Sequence, residues 1–217
     1  MESSLPQLLA VYAIPVLLAI TLHEAAHGYA ARALGDPTAW RLGRVTANPV
    51  RHIDPVGTLL VPGLILLASK AMGAVVLFGW AKPVPVDVRN LRSPRRDMAL
   101  IAAAGPLANV AMAMAWALSA QAFAWAGSDR FFVQMAVAGV VVNVGLAVLN
   151  LIPIPPLDGG RILVGVLPER PAGWLASIEP FGLAILLALL ATGLLADVTG
   201  PLVGLGVQAI AALTDPT

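Results

Sequence analysis

Apolar residues occur in long runs along this chain, and short polar stretches rich in Pro, Gly and Arg separate them. A helix of about 20 apolar residues crosses the roughly 30 Å hydrocarbon layer of a membrane. The pattern therefore predicts an all-α polytopic membrane protein with about five to six transmembrane helices. The longest runs cover residues 8–33, 98–125, 131–152 and 181–196, and a shorter one covers 201–213.

A different pattern lies between the first and second long runs. Residues 35–55 contain two Asp-Pro pairs and one Asn-Pro pair, which break helices. The apolar stretch 56–69 is short and interrupted by Pro62, and residues 74–88 are rich in β-branched side chains, which favour strands. This pattern predicts a small membrane-associated β-hairpin or re-entrant element between the two spans, with strand edges over 44–48 and 74–88.

The basic residues indicate how the chain is threaded. Ten of the 13 lie between Arg32 and Arg96, in one cluster after the first span and another before the second. Because Lys and Arg favour the cytoplasmic side, both clusters are expected there. An even number of crossings must then separate them, so residues 56–88 enter the membrane and return; a single full crossing is the alternative. The next two spans would bring Asp158 to the same depth as His27.

Composition supports the membrane assignment and excludes several other classes. The chain has 217 residues, of which 59% are hydrophobic and 12% charged. Its net charge of +1 gives no sign of nucleic-acid binding, and the absence of Cys excludes disulfides and zinc–thiolate sites. The first apolar run lacks a basic n-region and is treated as a membrane span. One domain over residues 1–217 is expected, with no linker or internal repeat.

The chemistry is concentrated in "HEAAH", residues 23–27, within the first span. Residues four apart share one helix face, so His23 and His27 can bind one ion while Glu24 stands beside them. Two imidazoles suit zinc, and the neighbouring carboxylate can take a proton from an activated water. The alternative, that these side chains only join helices, is less favoured because ionisable groups in a span are costly.

A third ligand must come from elsewhere in the chain. Asp158 lies in "NLIPIPPLDGGRIL", where three prolines break the helix and two glycines allow close backbone approach. Asp158 is therefore the preferred ligand, although it could instead cap a helix end. His52, in a polar loop, is a weaker candidate, and Asp54 and Glu179 are the remaining ones.

These motifs together resemble the site-2 protease family of intramembrane zinc metalloproteases. The resemblance rests on HEAAH, on "NLIPIPPLDGG" (Asn150 to Gly160) and on "AAAGPLANV" (Ala102 to Val110), and it covers roughly residues 8–165. It implies a catalytic core over 8–165 followed by C-terminal helices over about 178–213. The chain shows no obvious PDZ insertion or nucleotide-binding regulatory domain, so it resembles a minimal form.

The resemblance also implies residue roles. It implies one Zn2+ per chain, held by His23, His27 and Asp158, with Glu24 as general base. Asn150 is expected to assist catalysis by donating to the developing oxyanion. Asn109 is expected to have a structural role.

The implied activity is hydrolysis of peptide bonds in or near the transmembrane helix of a membrane-protein substrate, as in regulated intramembrane proteolysis. The active site is expected nearer the cytoplasmic side of a bacterial or archaeal cell membrane, and no oligomeric state is predicted. A di-iron enzyme acting on lipids would need more than the three histidines present. A non-proteolytic metal or proton carrier is the main alternative, although the chain lacks the broken-helix repeat of such transporters.

Overall fold

The computed structural model describes residues 5–60 and 81–215, and this part of the chain is helical with no β-strand. The α-helices are α1 (Leu5–Ala33), α2 (Thr38–Arg41), α3 (Pro94–Trp125), α4 (Arg130–Asn150), α5 (Asp158–Val166), α6 (Glu169–Ser177), α7 (Gly182–Ala191) and α8 (Leu194–Thr214). Short 3-10 helices cover Pro49–His52, Val88–Asn90 and Glu179–Phe181, and Pro55–Leu60 forms a π-helix.

Five helical stretches of the described chain are long and apolar enough to span a membrane. They are Leu9–Ala33, Pro94–Trp125, Arg130–Asn150, Glu169–Ala191 and Leu194–Thr214. The predicted multi-pass, all-α membrane architecture is thus confirmed.

The predicted span over residues 181–196 is wrong in its bounds. The helical stretch that starts at Glu169 ends at Ala191, and α8 begins at Leu194. Gly193 separates them with a φ of +79°, a left-handed conformation that glycine adopts without steric cost. Apolar residues continue on both sides of this turn, so the hydropathy of the sequence does not reveal the break between the two helices. The last span is correspondingly longer than the predicted 201–213.

Helices α1, α3 and α4 pack together through small residues, and this packing forms the centre of the bundle. Ala19 and Ala31 of α1, Ala113 of α3 and Ala136 of α4 are completely buried. Large apolar side chains such as Leu107, which is 66% exposed, face outward. In lipid, small residues at helix contacts let the backbones approach closely, which strengthens van der Waals packing. The three helices can therefore bring polar side chains within hydrogen-bonding distance of one another.

The predicted strands are not found where the chain is described. Residues 44–48 and 81–88 form no strand, and residues 74–80 of the predicted hairpin, with most of its re-entrant part, lie outside the described residues. In the segment Ala81–Asp87 the Lys82 N–H donates to the His52 carbonyl at 2.9 Å. Pro83 and Pro85 lack N–H groups, so this segment cannot make a regular strand ladder.

Asp36, just after α1, joins the two basic regions of the chain at one end of the bundle. Its side chain is buried and accepts hydrogen bonds from the Asp87 N–H at 2.7 Å and the Asn90 side-chain amide at 2.9 Å. It also accepts bonds from the backbone and hydroxyl of Thr38. The chain that follows α1 and the chain that precedes α3 therefore meet at the same end, as the distribution of basic residues predicts.

This arrangement predicts a pH-dependent contribution to stability. Burial by itself would raise the pKa of the Asp36 carboxyl. The hydrogen bonds from Thr38, Asn90 and Asp87 together have the larger, opposite effect, so the pKa lies below its ordinary value. The stabilisation is then complete above the ordinary carboxyl pKa and is lost as the pH falls through the lower folded-state pKa. We expect Asp36→Ala to lower the thermal midpoint at neutral pH, with a cost of about 1.5–3 kcal/mol for each charged hydrogen bond lost.

Thermal unfolding in detergent at several pH values would measure this effect, with Asp215→Ala, at an exposed carboxylate, as the control. The gap between wild type and Asp36→Ala should narrow in acid. A gap that stays constant down to the most acidic pH would contradict the account.

Candidate metal centre and active site

Two histidines of α1 and one aspartate of α5 form a compact cluster of possible ligands. The Nε2 atoms of His23 and His27 are 3.1 Å apart, with the two rings perpendicular. Asp158, the first residue of α5, places Oδ2 3.2 Å from His23 Nε2 and 3.4 Å from His27 Nε2. Within the part of the chain that the structure describes, these three are the His, Cys, Asp or Glu side chains whose possible ligand atoms converge on one point.

Hydrogen bonds on the far sides of the rings fix which nitrogen carries the proton. The Nδ1 of His27 lies 2.7 Å from the Ile101 carbonyl, which can only accept, so Nδ1 carries the hydrogen. His23 Nδ1 lies 2.6 Å from the side-chain oxygen of Asn109. In neutral rings both Nε2 atoms then present lone pairs to Asp158 Oδ2, which is buried and accepts no hydrogen bond. Three lone pairs that converge in this way favour a cation between them.

The donor set fits zinc. Two imidazole nitrogens and one carboxylate oxygen, with a fourth position left for water, are the ligands typical of catalytic zinc sites. Each imidazole donates its other N–H to an oxygen, which is the usual way that proteins orient metal-binding histidines. The buried Oδ2 of Asp158, otherwise costly without a partner, is satisfied by such an ion.

Glycines let the elements around this cluster approach closely. A Cβ at Gly105 of α3 would lie 2.5 Å from the Cε1 atoms of both His23 and His27. A side chain at Gly160, two residues after Asp158, would overlap the backbone of Pro155. Gly105 therefore allows α3 to pass directly over the histidines, and Gly160 allows α5 to begin where its aspartate reaches them.

Glu24 lies on α1 between the two histidines but contacts a different part of the chain. Its Oε2 accepts a hydrogen bond of 2.9 Å from the Val84 N–H. Pro83 and Pro85 flank Val84, so this is the one N–H in that tripeptide. Val84 thus holds the Glu24 carboxylate beside the cluster. The second carboxylate oxygen of Glu24 is left for other partners.

The remaining candidate residues lie elsewhere. Of the four candidate third ligands, the structure brings Asp158 to the histidines. His52 instead donates from Nε2 to the Thr46 carbonyl at 3.0 Å. Asp54 accepts hydrogen bonds from the Val56 and Gly57 N–H groups, and Glu179 pairs with Arg161 at 3.1 Å.

Asn150, the expected catalytic helper, donates to the Leu146 carbonyl of its own helix at 3.0 Å. It is not one of the three clustered residues, and its role stays a prediction.

Sequence reasoning gave Asn109 a structural role and did not single out Asn143, yet both belong to the surroundings of the cluster. Asn109 contacts His23 directly, and its amide donates to the Asn143 side-chain oxygen at 2.9 Å. Asn109 follows Gly105 by four residues, which places both on the same face of α3. That spacing is the signal that could have linked Asn109 to the histidines.

Comparison with known proteins identifies the family. A Bacillus subtilis (strain 168) protein named "Putative zinc metalloprotease YwhC" is 34% identical over 210 residues, covering 92% of this chain and 89% of its own length. The model of Peptidase family M50 matches residues 119–191. This chain belongs to the M50, or site-2 protease, family. The resemblance inferred from the motifs is thereby confirmed.

Other relatives agree with this assignment. The Mycolicibacterium smegmatis protein named "Putative zinc metalloprotease Rip2" is 31% identical over 81% of this chain. The matched region covers 64% of that relative's length. The protein of the same name from Mycobacterium tuberculosis H37Rv is 32% identical over 80% of this chain and 63% of its own length. No solved structure gives a significant match. With its five candidate spans, the M50 chain is a membrane zinc metalloprotease.

The close passage of α3 predicts that Gly105→Ala abolishes zinc binding. The added methyl group would overlap both imidazoles and displace them, and the expected result is loss of zinc from the purified protein. Gly145→Ala on α4 is the matched control, because a Cβ there meets open space. Zinc content per chain, measured by plasma mass spectrometry alongside the thermal midpoint, checks the prediction. Full zinc occupancy in folded Gly105→Ala would refute it.

Proposed function

We propose that this protein is an intramembrane zinc metalloendopeptidase that hydrolyses peptide bonds in or near the transmembrane segments of membrane proteins. One Zn2+ per chain would be held by His23, His27 and Asp158. The observation that carries the proposal is the convergence of two imidazole nitrogens and one carboxylate oxygen inside a bundle of helices long and apolar enough to span a membrane. A catalytic carboxylate, Glu24, stands on the same helix.

The position of the cluster along α1 supports cleavage within the membrane. At about 1.5 Å per residue, His27 lies about 9 Å and His23 about 15 Å from the end of the span at Ala33. That end carries both basic regions, which favours the cytoplasmic side by the positive-inside rule. We therefore propose that the active site lies toward the cytoplasmic face of a bacterial or archaeal cell membrane.

The chain's own residues would divide the chemistry as follows. When bound, zinc supplies Lewis-acid polarisation of the scissile carbonyl and activates the attacking water. Glu24 takes the proton from that water and passes it to the leaving amine. Asn150, at the end of α4, donates a hydrogen bond to the developing oxyanion once its bond to the Leu146 carbonyl is exchanged.

The substrate must be locally unwound before it can react. A helix keeps its peptide bonds within its own hydrogen-bond ladder, and in lipid the freed groups need new partners. Residues 81–87, which form neither helix nor strand, pass Glu24 at Val84 and are anchored by Arg44, which donates to the Lys82 carbonyl at 2.8 Å. We propose that the unwound substrate lies beside this segment, with its scissile bond between Glu24 and the ligand cluster.

Glu24→Gln tests the proposed reaction. The amide keeps the shape of the side chain but cannot take a proton, so we expect zinc to be retained and cleavage to fall by about 10²–10⁴-fold. Quantitative proteomics of membranes carrying wild type, Glu24→Gln or the exposed control Glu169→Gln would show the substrates. Single-span proteins should accumulate with Glu24→Gln alone. If none accumulates while zinc stays bound, a non-proteolytic metal or proton carrier becomes the better account.

Asn150→Ala tests the assignment of the oxyanion donor. Loss of one such donor typically lowers kcat by about 10²–10³-fold, while zinc content and KM should change little. Peptide cleavage by the purified variant gives kcat and KM, and Asn150→Asp, which keeps the size of the side chain, is the companion variant. If kcat were unchanged in Asn150→Ala, Asn150 would not be the oxyanion donor. Its role would then be the hydrogen bond to the Leu146 carbonyl.

A further inference from the structure

We propose that Asn143 is a positioning residue that fixes the tautomer of His23 through Asn109. This inference rests on the proposed zinc site but not on the proposed cleavage. Asn143 lies on α4, Asn109 on α3 and His23 on α1, so the chain of hydrogen bonds crosses all three central helices. Both asparagines are 0% exposed, so bulk water does not compete for their hydrogen bonds.

The first link sets the direction of the chain. The Nδ2 of Asn143 lies 2.8 Å from the carbonyl oxygen of Gly139. A carbonyl oxygen only accepts, so the amide nitrogen of Asn143 must face it. The other side-chain atom, Oδ1, is then the one that faces Asn109, and it can only accept.

The second link transmits this direction to α3. Asn109 Nδ2 lies 2.9 Å from Asn143 Oδ1 and 3.3 Å from the carbonyl oxygen of Ala19. Both partners are acceptors, so the amide nitrogen of Asn109 occupies this side of its side chain. Its Oδ1 is left to face His23.

The third link reaches the ligand. Asn109 Oδ1 is 2.6 Å from His23 Nδ1, and because this oxygen accepts, Nδ1 carries the hydrogen. A neutral imidazole protonated at Nδ1 has its lone pair on Nε2, toward His27 and Asp158. With the opposite tautomer, an N–H would point into the cluster and exclude a cation. Asn143 thus keeps His23 ready to bind zinc without touching it.

A merely structural role for Asn143 makes different predictions. Interhelical hydrogen bonds in membranes contribute modestly to stability, and their loss would lower stability without a specific effect on the metal. A positioning role instead predicts that an Asn143 variant loses more zinc affinity than a control variant of equal thermal stability. Gln121 offers the matched control, because it also joins α3 to another helix, donating to the Thr214 carbonyl of α8 at 2.8 Å.

The test measures zinc affinity by competition with a chelator, together with thermal midpoints, for Asn143→Leu, Asn143→Asp and Gln121→Leu. We expect Asn143→Leu to lose about 10–100-fold in zinc affinity, as is typical when an outer partner of a ligating histidine is lost. Asn143→Asp should restore affinity, because a protonated carboxyl group can donate to the Gly139 carbonyl and accept from Asn109. Gln121→Leu should bind zinc as wild type does.

Equal zinc affinity for Asn143→Leu and wild type would overturn the proposal and leave a structural role. A second measurement needs no variant: ¹⁵N NMR of histidine in the metal-free wild type should show His23 with its proton on Nδ1. A proton on Nε2 would also overturn it. Neither readout depends on cleavage, so these results are separate from the outcome of Glu24→Gln.

Discussion

The structure depends on holding three electron-pair donors against one another inside a membrane bundle. Two imidazole nitrogens and a buried carboxylate oxygen meet within about one hydrogen-bond length, and that oxygen, Asp158 Oδ2, accepts no hydrogen bond. Burial of such a charge costs several kcal/mol unless it is compensated. The rest of the fold has to deliver His23, His27 and Asp158 to one point, and a cation then offsets the cost.

Close helix packing makes this convergence possible. Alanine and glycine at the contacts of α1, α3 and α4 bring the backbones near enough for Gly105 to lie against both histidines. The same closeness lets short amide side chains reach across helices, so Asn109 can bridge α1 and α4. In lipid, where apolar burial gives little drive for association, packing and polar contacts supply it. The features that hold the bundle together also shape the site.

The segment Ala81–Asp87, which is neither helix nor strand, joins this site to the end of the bundle. Asp36 fixes its far end through the Asp87 N–H, and Glu24 accepts a hydrogen bond from the Val84 N–H nearer the two histidines. Because prolines on both sides of Val84 remove competing donors, a single amide is presented to the carboxylate. The segment therefore positions Glu24, the proposed catalytic base, by a backbone contact between residues that lie 60 apart in the chain.

The sequence by itself determined the membrane class, most of the spans and the pairing of His23 with His27, because helix periodicity and hydrophobic length are local properties. The distribution of arginines also placed Asp158 near them. Only the tertiary structure decided the hydrogen-bond directions through Asn143, since they depend on contacts between three helices. It also decided against strands at 81–88, where β-branched residues suggested them but prolines withhold the N–H groups. The turn at Gly193 is a third feature that only the structure revealed, because apolar residues on both sides of it keep the hydropathy profile continuous.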